Sequence, residues 1–165
     1  MPKLWPDDAA RWHATHSDHF WQDAGWATGF REYARGTGHG EWTFEIDAGP
    51  VVGGFGTSAS AFGIAAARRN GRMDQAYELT TQMFATGWPA LDGSLRSPQV
   101  FSHPCAPMLG ESALLYFLTL APAPGVPIVT GGHLTPLVYG SLAIYLGGFA
   151  LALWLRSEEH TSELQ

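Results

Sequence analysis

Residues 135–155 read TPLVYGSLAIYLGGFALALWL, twenty-one positions without a charge. At 1.5 Å per residue a helix of this length covers about 31 Å, the thickness of a bilayer's hydrocarbon core. A soluble helix needs one polar face, and this segment has none. Tyr139 and Trp154 lie near its two ends, where amphipathic rings suit the membrane–water interfaces. The expectation is a transmembrane helix over 135–155. Gly140, Gly147 and Gly148 would let other transmembrane helices approach closely, although a G-x3-G pair is not present.

Composition narrows the remainder. Charged residues make up 15% of the 165, well below the roughly 25% of an ordinary soluble domain, while aromatics reach 13% with 7 Trp. Such a chain is not disordered. A net charge of −6 argues against nucleic-acid binding. The single cysteine, Cys105, excludes an intrachain disulfide and any C-x-x-C zinc site.

The rest of the sequence reads as mainly α. Asp7 and Asp8 after Pro6 start a helix on which Trp12, Thr15, His16, His19 and Phe20 recur at helical spacing. Residues 42–47 alternate like a short strand or extended loop, and 48–57 read as a Gly-rich turn. Ser58 or Ser60 can cap a helix through Arg69, Asn70-Gly71 stops it, and a second helix follows over 73–85 with Ala76, Tyr77, Thr80, Met83 and Phe84 near one face. The two form an antiparallel hairpin. A Pro-rich loop, a short apolar helix near 111–120 and a linker precede the span. The domain organisation is therefore a Gly- and aromatic-rich helical extramembrane domain over 1–127, a linker over 128–134 and the span over 135–155. Orientation stays open: no Lys or Arg lies between Arg96 and the span, which disfavours a cytoplasmic near side, yet residues 1–30 hold no apolar signal segment. An upstream membrane segment would reconcile the two.

No motif specifies a reaction. His13, His16, Asp18 and His19 supply metal-type ligands, but the spacing is not that of a metalloprotease helix, so packed histidines beside Trp12, Phe20 and Trp21 are the plainer reading. No metal or cofactor is expected. Gly54-x-Gly56-x-x-Ala59 with Asp74 some twenty residues on has the outline of a dinucleotide fingerprint, but Asp74 opens a helix and no second strand intervenes. Glu45 and Asp47 are the candidate catalytic pair for carboxylate acid/base chemistry, with Glu41, Asp92, His103 and Glu111 on neighbouring segments. Cys105 near His103 matches no nucleophile signature, so a buried thiol is expected. Trp12, Trp21, Trp26 and Trp42 are the candidate binding residues of an aromatic cleft.

Three segments carry a resemblance: GWATGFREY (25–33), EIDAGPVVGGFGTSASAFGIAAARRNGR (45–72) and LGESALLYFLT (109–119), followed by GGHLTPLVY (131–139) leading into the span. Together they resemble a group of uncharacterised bacterial membrane proteins with helical hairpins of the (α/α) toroid type. That resemblance implies a partial toroid-like fold, residence in the bacterial inner membrane, the lipid bilayer as a partner with other transmembrane helices or a polar envelope ligand, and a binding or structural role. The alternative it raises is a toroid enzyme acting on a glycan or another polar envelope substrate. It assigns no catalytic residues. The last ten residues, 156–165, read RSEEHTSELQ and resemble the in-frame translation of a sequencing adapter. The expectation is that they are an artefact, that the natural chain is interrupted at Leu155, and that Met1 is an internal position.

Overall fold

The computed structural model describes residues 4–38, 40–45, 49–89, 95–96 and 109–162. Helix α1 (Pro6–Phe20) begins as the sequence indicates, with proline in its first turn and Asp7 and Asp8 at the positive end of its dipole. It passes directly into β1 (Trp21–Asp23), which turns back through β2 (Thr28–Phe30) in antiparallel register, Trp21 opposite Phe30. The Asp23 carboxylate accepts the Gly25 N–H at 2.8 Å, and Gly25 supplies the positive φ that the turn requires.

The Gly-rich segment is more ordered than a turn. Strands β3 (Trp42–Glu45), β4 (Gly49–Val52) and β5 (Phe55–Gly56) form a small antiparallel sheet with β4 in the middle. Gly53 and Gly54 both take positive φ between the paired Val52 and Phe55, the two-residue connection whose twist matches paired strands. A two-stranded pair, β6 (Trp88–Pro89) with β7 (Leu95–Arg96), completes the strands among the described residues. Helices predominate among the described residues, but the small antiparallel sheets make the fold less purely α than expected.

Helices α2 (Thr57–Arg69) and α3 (Met73–Ala85) form the hairpin read from the sequence. Two details differ. Neither Ser58 nor Ser60 caps α2; Gly56 occupies that position, and the Ser60 hydroxyl instead accepts the Phe30 N–H at 3.1 Å. The buried face of α3 is not the apolar one either. Gln75, Ala76, Glu78, Leu79 and Gln82 face inward, while Tyr77 and Phe84 are exposed. The three polar residues go in because each meets a partner from another segment.

The core sits where α2, α3, β2 and α4 (Leu109–Thr119) meet, around Phe30, Ile64, Leu79 and Phe117. Gly63 makes this approach possible. A Cβ there would stand 2.4 Å from Cδ2 of the fully buried Phe30 and 3.2 Å from Leu79 Cδ1. Alanine would gain about 1 kcal/mol of helix propensity, but overpacking costs about 1–3 kcal/mol. Phe30 is fully buried and in the way of the added carbon, so Gly63→Ala is expected to lower the thermal midpoint. Gly147→Ala, whose Cβ meets nothing within 4 Å, should not.

The segment after α4 straps the hairpin turn. Arg68 and Arg69 donate to the carbonyls of Leu120 and Ala121, and Val129 exchanges backbone hydrogen bonds with Gly71 and Asp74. The chain then enters α5 (Pro136–Ser162). The 23 residues Pro136–Glu158 are long and apolar enough to cross a membrane, and only 6% of that segment's most apolar window is buried within the structure.

Candidate functional site

The polar face of α3 organises the molecule's interior. Gln75, Glu78 and Gln82 follow one another at helical spacing, and all three are buried. The Gln75 side-chain oxygen lies 3.1 Å from His13 Nε2 on α1. The Glu78 carboxylate meets His133 Nδ1 at 2.8 Å and accepts its backbone N–H at 3.2 Å. Gln82 accepts the Thr28 N–H at 3.0 Å and donates to the Thr28 carbonyl at 2.9 Å and its hydroxyl at 3.1 Å. One helix therefore fixes α1, the approach to α5 and the buried strand β2. Beside it, Arg72 grips Asp74 through two nitrogens at 2.7–2.9 Å. Burial works against the Asp74 carboxylate, but Arg72 and two backbone N–H groups outweigh it and hold its pKa below the ordinary value.

A groove of 680 Å3 runs between α1 and α2. Trp12, His13 and His16 form one wall, and Phe62 with Ala59, Gly63 and Ala66 forms the other. The small residues on α2 keep the groove open. His16 stacks on Phe20 with centroids 4.7 Å apart. Burial lowers the pKa of His13, against the opposing effect of the hydrogen bond it donates to Gln75, and it lowers that of His16 too. Both imidazoles are neutral at pH 7 and act as flat, weakly polar surfaces. At one end Asn70 donates to the Ala66 carbonyl, while its buried Oδ1 has no partner among the described residues. The arrangement suits a largely apolar or aromatic ligand with a hydrogen-bond donor near that end.

The histidines of α1 thus share a face, as their spacing indicates, but His19 Nδ1 contacts its own helix at the Thr15 carbonyl and no metal-ligating group forms among the described residues. The four tryptophans do not line a single cleft. Trp12 faces the groove, Trp21 packs edge-on against Phe30, Trp26 packs edge-on against Phe55 beside the base of α5, and Trp42 stands exposed on β3. Their positions on different elements send them apart. Of the carboxylate pair, Glu45 accepts a hydrogen bond from the Tyr33 hydroxyl, and Asp47 lies outside the described residues. Asp92, His103 and Cys105 also fall outside them, as does the side chain of Glu111. The Gly54–Ala59 motif sits in an antiparallel hairpin running into α2, with Arg31 packed over Gly54 and Asp74 tied to Arg72. That is not the parallel strand–helix–strand unit of a dinucleotide fold.

The sequence gives no hint of the Gln75, Glu78 and Gln82 network, whose partners lie 54 to 62 residues away. No family model, curated protein or solved structure matches this chain.

Proposed function

We propose that this chain is a bilayer-anchored binding component, with α5 as the anchor and the α1–α2 groove as the ligand site. The carrying observation is α5 itself: an apolar helix of membrane-spanning length that leaves almost all of its surface outside the folded domain. A buried core helix of the same composition would be enclosed, and this one is not. The α2–α3 hairpin, with its small residues turned toward neighbouring elements, supports a partial toroid-like arrangement. Residence in the bacterial inner membrane fits the same helix. The groove supplies the recognition surface, with Trp12 and Phe62 as apolar walls and two neutral histidines between them.

The groove is tested with the full chain in phospholipid nanodiscs and an aromatic diazirine as photoprobe. Adducts mapped by mass spectrometry are expected on the peptides holding Trp12 and Phe62. Ala66→Trp, which fills the groove, should suppress them. They should also decline as the pH falls below about 6.5, the ordinary histidine value. The sign follows from the lowered pKa values: the neutral imidazoles persist at pH 7, and protonating them places charge on an apolar wall. Labelling confined to α5, or unchanged by Ala66→Trp, would defeat the assignment.

A further inference from the structure

Helix α5 does not leave the domain at its first residue. The Leu137 N–H donates to the Trp26 carbonyl at 2.9 Å, Val138 is buried, and the Tyr145 hydroxyl donates to the Gly87 carbonyl just beyond α3. From Pro136 to Tyr145 the helix runs beside α3, a distance of about 13 Å. The apolar residues left beyond that point, Leu146 to Leu155, cover about 15 Å, half of a hydrocarbon core of about 30 Å. If the span is 135–155, the end of the domain beside Pro136 to Tyr145 lies in the near leaflet with it.

That end is built for such a setting. The cleft lining at the base of α5 comes from residues 26–28, 50–60 and 79–86, and none of these segments carries a charge. Arg31 and Glu32 lie behind this lining, against Gly54 and Gly56, and Arg31 is paired with Glu41. Trp26, Val52 and Phe84 are each more than a third exposed. Between Trp26, Val52, Phe55, Met83 and Leu137 opens a cleft of 320 Å3, large enough for a ligand and without a charged residue in its lining. Leu137 belongs to α5, so the cleft is continuous with the surface of the anchor.

Resting on the reading of α5 as an anchor, we propose that this end of the domain is itself a lipid-binding surface, and that its charge-free cleft seats an acyl chain of a near-leaflet phospholipid. Trp26 stands at the headgroup level, where its ring is favoured. The small strands β4 and β5 keep their backbone groups paired toward β3, so little unpaired backbone enters the acyl region.

The test uses the full chain with Cys105→Ser, reconstituted in phosphatidylcholine vesicles, with bimane attached at a single introduced cysteine. Val52→Cys and Phe84→Cys report the proposed surface, Leu153→Cys the anchor, and Arg11→Cys the charged side. With brominated phosphatidylcholine, emission from positions 52, 84 and 153 is expected to fall by about half or more, as for a label in the acyl region, and that from position 11 to stay unchanged. Val52, Phe84, Leu153 and Arg11 are all exposed, so labelling at these positions should leave the fold intact. Quenching at 153 with none at 52 or 84 overturns the lipid surface while leaving the anchor intact. In the unlabelled Val52→Cys chain, a disulfide-linked dimer formed on oxidation with copper phenanthroline in the same vesicles would assign the cleft to a second copy of the chain and overturn the lipid site. No quenching at 153 removes the anchor and the inference together.

Discussion

Leu146→Arg is expected to shift the chain out of the membrane while leaving its folded domain unchanged. Leu146 sits next to the middle of the uncharged run, at the depth from which an arginine cannot easily reach either interface. It is 69% exposed and lies just past Tyr145, the last residue tied to the domain. Arginine at the centre of a spanning helix costs about 2.5–3.5 kcal/mol, and the leucine it replaces contributes about −0.5 kcal/mol, so the balance moves by about 3–4 kcal/mol, some hundredfold or more. The measurement is the share of protein that stays with membranes through alkaline extraction, paired with circular dichroism of the domain. Leu146→Phe serves as the control and should behave as wild type. Undiminished retention of the arginine chain would mean that α5 does not cross the bilayer, since an exposed position on a helix covered by protein would tolerate a charge at its edge. Loss of the domain's thermal transition would instead place Leu146 in its packing.

The contrast between α5 and α3 shows what a sequence can and cannot display. The anchor is legible because its signal is purely local: twenty-one residues without charge need no knowledge of the rest of the chain. The helix boundaries are legible for the same reason, Pro6 with two aspartates at one start and Asn70-Gly71 between the hairpin arms. The histidine stripe is legible as geometry, because positions 13 and 16 share a helical face wherever that helix packs. What they face is not local. Gln75 goes inward only because His13, 62 residues earlier, meets it, and Tyr77 goes outward as a consequence. An apolar-face rule then selects the wrong side of α3. The strands of 49–56 are hidden for a different reason. Glycine has no side chain to mark an alternating pattern, so a hairpin built on Gly49, Gly53, Gly54 and Gly56 reads as a turn throughout. The tryptophans mislead because composition suggests one aromatic cleft, whereas each ring is placed by its own element.

The polar face of α3 also sets where the domain is most vulnerable. Gln82→Leu is nearly isosteric and would suit the helix, so propensity alone predicts no loss. The structure predicts a large one. Gln82 is buried, and its amide satisfies both the N–H and the carbonyl of Thr28, a residue of β2 that is itself buried. Leucine would leave those two buried backbone groups without their partners, at about 1–3 kcal/mol each. A loss of about 2–5 kcal/mol is a large fraction of the stability of a domain this small. The loss should fall on β2 first, and through Phe30 on the core that Ile64 and Leu79 share with it. Hydrogen exchange reads this directly: in Gln82→Leu the amide of Thr28 should lose protection before those of α2. Gln82→Glu separates the two contributions, because a carboxylate can still accept from the Thr28 N–H but cannot donate to its carbonyl. Once ionised it also sets a buried negative charge against that carbonyl, so its stability should fall further as the pH rises. If leucine at this position were as stable as glutamine in chemical denaturation, the buried polar face would be incidental, and α3 would be held by Ala76 and Leu79 alone.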